Sequence, residues 1–139
     1  MINITRIDNI HLAGTASTPS VDFCFDTHRL SLSGESYPEN AAAYYRPLIE
    51  KVEAYLAELS HRDDAPATEI EVHISLSYFN SSSTKMLFSL LNVLHLAAQD
   101  TLSIALHWYH DYEDDIAQEF GEELHIDFPA LDFHSHIME

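Results

Sequence analysis

The sequence predicts an α/β domain with a mixed sheet, and three features carry the prediction. Two period-2 runs flank a short polar turn near the start. A long alternating run spans Thr68–Tyr78. Helical spacing of apolar residues then alternates with further strand-like runs. With 139 residues the chain is sized for one domain, 1–139, with one sizeable core. Its 46% hydrophobic and 21% charged content, with 3 Gly and 5 Pro, is that of a globular protein.

Residues 1–20 read as a lead-in with a short strand at Ile10–Ala13, ending in Ser17-Thr18-Pro19. Val21, Phe23 and Phe25 alternate with Asp22, Cys24 and Asp26. After Asp26-Thr27-His28 the alternation resumes with Leu30 and Leu32, which makes a β-hairpin closed by Gly34, with Cys24 on its more polar face. Ser36-Tyr37-Pro38-Glu39-Asn40 has the marks of a helix start, with a capping residue, a proline whose missing N–H costs little, and an acid near the positive end of the dipole. The helix should reach Leu59, with a kink or break near Tyr45-Arg46 because Pro47 cannot donate to the helical ladder.

His61–Ala67 reads as a loop. In the following strand Ile70, Val72, Ile74, Leu76 and Tyr78 face one way, and Glu71, His73, Ser75 and Ser77 the other. Met86, Leu87, Leu90, Leu91, Leu94 and Ala98 mark an amphipathic helix. Leu102, Ile104, Leu106 and Trp108 form the next strand and Asp114–Leu124 the last helix. Ile126-Asp127-Phe128 either adds a short final strand or packs as tail. Each strand–helix–strand crossover should be parallel and right-handed.

The net charge of −17 disfavours nucleic acid and anionic membrane as partners, since both bind through Lys and Arg. No Lys or Arg follows Lys85, while acids continue to the end of the chain; this reads as a solvated, self-repelling surface, and a partner docking there would be basic. The single Cys24 permits no intramolecular disulfide and no cysteine-based metal site. The N-terminus lacks the apolar core of a signal peptide, and no stretch approaches the ~20 apolar residues of a membrane span, so a cytoplasmic address is expected.

The chemistry-bearing string is Tyr78-Phe79-Asn80-Ser81-Ser82-Ser83-Thr84-Lys85, which lies between a strand end and a helix start, the usual ligand position in α/β sheets. A helix cap needs one hydroxyl; here there are four, with Lys85 behind them, so the run reads either as capping or as a modified or anion-binding site. It contains no Gly, which excludes a Walker-type phosphate loop. Ten histidines raise a metal reading through His134 and His136, and through His107 and His110 beside Asp111 and Glu113. On a strand His134 and His136 would share a face but leave zinc two ligands short, so no metal or other cofactor is assigned. No GxSxG or HExxH occurs and Cys24 has no histidine signature beside it, so an enzyme is not expected.

In element order the chain resembles the STAS-type domain. Ser17-Thr18-Pro19, Gly34-Glu35-Ser36-Tyr37-Pro38-Glu39-Asn40, Tyr78-Phe79-Asn80-Ser81-Ser82-Ser83-Thr84-Lys85, His107-Trp108-Tyr109 and Gly121-Glu122-Glu123 together resemble the SiaC family of bacterial regulatory phosphoproteins. The resemblance implies a single STAS-like domain acting as a non-enzymatic partner switch. In the family a cognate kinase esterifies the hydroxyl after the motif Asn and a phosphatase removes the group. The unphosphorylated form activates a diguanylate cyclase, raising cyclic di-GMP and promoting biofilm growth. The matching hydroxyl here is Ser81, a conservative departure from the family's Thr, with Ser82 as second candidate and Asn80, Ser83, Thr84 and Lys85 as their surroundings. Glu35, Tyr37, Pro38, Glu39 and Asn40 are the expected partner surface, or else a cap that sets the chain's entry angle. A homodimer stays open, as does a small-ligand or metal-binding domain using residues 80–85 or the histidines near the C-terminus.

Overall fold

A computed structural model describes residues 7–62 and 68–138. Six strands form one sheet in sequence order: β1 (Ile10–Leu12), β2 (Ser20–Cys24), β3 (Arg29–Ser36), β4 (Glu69–Phe79), β5 (Ser103–Asp111) and β6 (Asp132–Met138). The pairs β1–β2 and β2–β3 are antiparallel, and β3 through β6 run parallel. Three helices make the parallel crossovers: α1 (Ala41–Ser60), α2 (Ser81–Asp100) and α3 (Asp115–Asp127). The expected mixed α/β sheet is therefore the observed one. Among the described residues no helix is long and apolar enough to cross a membrane.

The period-2 alternation decides which face of the sheet is covered. Val21, Phe23, Leu30, Leu32, Val72, Ile74, Leu106 and Trp108 lie in register on one face. They are buried with Leu48, Val52, Leu87, Leu91, Ala117 and Leu124 from the helices in a single core. The opposite face carries Asp22, Ser31, Glu71, His73, Ser75, His107, Tyr109, His134 and His136, and among the described residues no helix lies over it.

The structure corrects several details of the sequence reading. Gly34 does not end the hairpin: β3 runs on to Ser36, and Gly34 takes a φ of 110°, open chiefly to glycine, where the register with β4 shifts by one residue. That shift puts Tyr78 out of the core, 52% exposed, against the alternation that pointed it inward. The turn between β2 and β3 is a single 3-10 turn, Phe25–Thr27, closed by His28 in the left-handed region.

The predicted break near Tyr45-Arg46 does not occur, because α1 is continuous through Pro47. Only one ladder bond is lost there, and Tyr45, Leu48, Ile49, Val52, Tyr55, Leu56 and Leu59 are buried on both sides of it, so packing holds the helix together. Its cap is Asn40, not Ser36, which ends β3. Ile126-Asp127-Phe128 is not a strand: the first two residues finish α3, and the final strand is the polar segment Asp132–Met138. Residues 63–67 of the expected loop lie outside the described residues.

Candidate functional site

Where β4 passes into α2, Asn80 leaves the helical region and its Oδ1 accepts the N–H of Ser83 at 2.9 Å. The Asn80 carbonyl accepts both the Thr84 N–H at 2.9 Å and its Oγ1 hydroxyl at 3.1 Å. Asn80 thus does the capping, which leaves the four hydroxyls to other uses. They divide into two pairs. Ser83 is fully buried and Thr84 half-buried and bonded to the backbone, whereas Ser81 and Ser82 are exposed on the first turn of α2.

A buried network fixes this turn to the strand beside it. The Ser83 hydroxyl donates to the Ser36 carbonyl at 2.9 Å, and Ser36 Oγ lies 2.8 Å from Ser83 Oγ and 2.6 Å from the Tyr45 hydroxyl. The Asn80 N–H donates to the same Ser36 carbonyl at 3.1 Å. Ser36, unassigned in the sequence reading apart from its capping character, is the residue through which the Gly34–Asn40 string shapes the candidate phosphosite. Its serine-before-aromatic context looked like a cap; only the strand register places it against Ser83.

The remaining residues of that string serve different ends. Pro38 is buried, while Asn40 Oδ1 caps α1 through the Ala43 N–H at 3.0 Å. Glu35 and Glu39 are exposed, and Tyr37 meets Tyr78 edge to face with ring centroids 5.5 Å apart. The two exposed tyrosines form an aromatic ledge beside the α2 start. The starts of α1 and α2 flank a shallow cleft of about 510 Å³ lined by Glu39, Asn40, Arg46, Ser82, Lys85 and Met86. Two helix N-termini, Arg46 and Lys85 line it against the single Glu39 carboxylate, a balance that favours an anion.

Burial pushes the Tyr45 hydroxyl up to about 12, with the Ser36 hydrogen bond opposing, and burial likewise raises Tyr55. The sign follows: both phenols are neutral in either state below pH 10, and above it the unfolded chain ionises while the fold resists. Stability should therefore be level into mildly alkaline solution and fall as pH rises from about 10 through 12. Denaturant midpoints measured across that range check this, and Tyr45→Phe should weaken the decline.

The histidines are distributed unlike the sequence reading. His110 is buried on the covered side, its Nδ1 at 3.0 Å from the Asp111 carbonyl, and does not join His107. His107, His134 and His136 do meet on the open face, joined by two residues the spacing did not suggest, Glu71 and His73. The imidazoles of His73 and His107 stack at 4.5 Å, and those of His107 and His134 at 4.7 Å. Partial burial, and then the neighbouring histidines, hold His107 below the ordinary imidazole value. The His73 hydrogen bond chiefly lowers Glu71.

A sheet covered on one side, with exposed serines at a capped helix start beside a basic cleft, is the build of a small α/β binding domain. The family model described as "SiaC family regulatory phosphoprotein" matches residues 12–138, and the chain belongs to the SiaC family. An uncharacterized protein of Pseudomonas aeruginosa is 31% identical over 121 residues, covering 87% of this chain and 90% of that one. Among solved structures, SiaC of the same organism, bound as activator to the diguanylate cyclase SiaD, superposes with a TM-score of 0.80 at 30% identity, covering 93% of this chain and 99% of that chain. Apo-SiaC gives 0.75 at 30% identity, covering 95% and 99%.

Proposed function

We propose that this chain is a non-enzymatic switch protein that binds and activates a diguanylate cyclase when unphosphorylated and releases it when Ser81 carries a phosphoryl group. The carrying observation is the full-length likeness to a SiaC captured on its cyclase, at 93% and 99% coverage. A cognate kinase and phosphatase would write and erase the group, and Ser81 is the first candidate because it follows Asn80 directly and is exposed. Ser82, which lines the basic cleft, is the second. Ser83 is excluded as a ready substrate by its burial and its bonds to Ser36.

The physics suits release by modification. A phosphoryl group adds about −1.5 to −2 charges to a chain already at −17, so an acidic partner surface would be repelled and an apolar one would lose its dry contact. Glu35, Tyr37, Glu39 and the exposed edge of Tyr78 surround the same turn and form the proposed contact surface, with Pro38 and Asn40 holding its backbone. Purified chain added to the diguanylate cyclase encoded nearest to it should raise cyclic di-GMP synthesis. Unchanged synthesis, with no complex on size-exclusion chromatography, would overturn the reading.

A further inference from the structure

We propose that the open face of the sheet holds a zinc ion through Glu71, His73 and His107. Parallel pairing places these residues: His73 of β4 lies opposite His107 of β5, which lies opposite His134 of β6, so three adjacent strands present imidazoles in one cross-strand row. Glu71 stands two residues before His73 and so on the same face. One ligand atom from each of Glu71, His73 and His107 lies within 4.8 Å of the others, and His73 Nε2 is 3.0 Å from Glu71 Oε1.

Two imidazoles and a carboxylate are a donor set for zinc and its neighbours in the first transition row, and too poor in oxygen for calcium or magnesium. Partners already orient the rings. The Tyr109 hydroxyl lies 2.9 Å from His73 Nδ1, which directs His73 Nε2 toward the carboxylate, and His136 Nε2 lies 2.9 Å from His107 Nδ1. Such outer contacts fix the ring and the tautomer of a metal-bound histidine. An entering ion would replace the His73–Glu71 hydrogen bond, and Arg29, now 3.2 Å from Glu71 Oε1, would be left to the second carboxylate oxygen. His134 stacks on the His107 ring at 4.7 Å with its Nε2 held 3.0 Å from Asp132 Oδ2, so the fourth position is left to water. With no helix among the described residues over this face, the ion has a direct path from solvent, and the net charge of −17 favours its approach.

The test is zinc chloride titrated into the untagged full chain after chelator treatment, followed by calorimetry and by the histidine side-chain resonances in NMR. One zinc per chain is expected, with the His73 and His107 resonances moving together. His107→Asn should weaken binding by at least about tenfold and Tyr109→Phe by about tenfold, while Cys24→Ser and His11→Asn, in the separate group at β1 and β2 where His11 Nδ1 lies 2.8 Å from Asp22, leave it unchanged. Absence of saturable binding, or titration that moves His11 and leaves His73 and His107 still, overturns the proposal. If His107→Asn fails to fold, the wild-type resonances decide alone. Because the proposed cyclase contacts surround the α2 start and not this face, loss of zinc binding and loss of activation are read separately.

Discussion

Ser81→Asp should abolish most of the affinity for the cyclase while leaving the fold as stable as before. A like charge forced into a contact costs a few kcal/mol, about a hundredfold in dissociation constant. The same substitution is neutral or mildly favourable to the chain itself, because Ser81 is exposed and an acid in the first turn of α2 meets the positive end of its dipole. Ser81→Ala should bind as the unmodified protein does. Calorimetry of each variant with the cyclase, beside thermal unfolding, separates loss of recognition from loss of structure. Should Ser81→Asp bind normally while Ser82→Asp does not, the modified hydroxyl is the one lining the cleft. Normal binding by both would remove charge as the release mechanism.

The largest effect on stability is expected from Gly121→Ala. A Cβ built at Gly121 would stand 2.6 Å from Trp108 Cδ1 and 2.8 Å from its Nε1. The indole cannot swing aside, being fully buried and donating from Nε1 to the Ala117 carbonyl at 2.9 Å. The methyl group must therefore push α3 off the sheet, costing about 1–3 kcal/mol in overpacking and a comparable amount if the indole N–H loses its acceptor. Alanine's better helix propensity returns about 1 kcal/mol. A net loss of about 2–4 kcal/mol should lower the melting temperature by roughly 10 °C. Trp108 is the only tryptophan, so its fluorescence reports the displaced contact directly.

The sequence disclosed the fold wherever one face of an element met the core. Alternation in Glu69–Phe79 and in Ser103–Asp111, and the leucine stripe of α2, were legible because burial leaves a periodic record. Asp132–Met138 escaped because it is an edge strand with little buried on either side, so its pattern is that of a polar tail. Pro47 misled because local propensity is outweighed by eight buried side chains along α1. The candidate site was half legible. The hydroxyl-rich start of α2 is contiguous in sequence, whereas the Ser36–Tyr45–Ser83 network and the histidine row join residues tens of positions apart, brought together only by strand register. Spacing along one segment cannot reveal contacts made across three.

The bonds from Ser83 and Asn80 to Ser36 leave the α2 start little freedom to tilt or unwind. On the proposed reading, a group attached at Ser81 would be sensed by a visitor as an altered electrostatic landscape over an unmoved scaffold, with no relay through the interior. If the proposed modification operates, its reversal needs no refolding, and the speed of the switch would be set by the modifying enzymes and not by the domain.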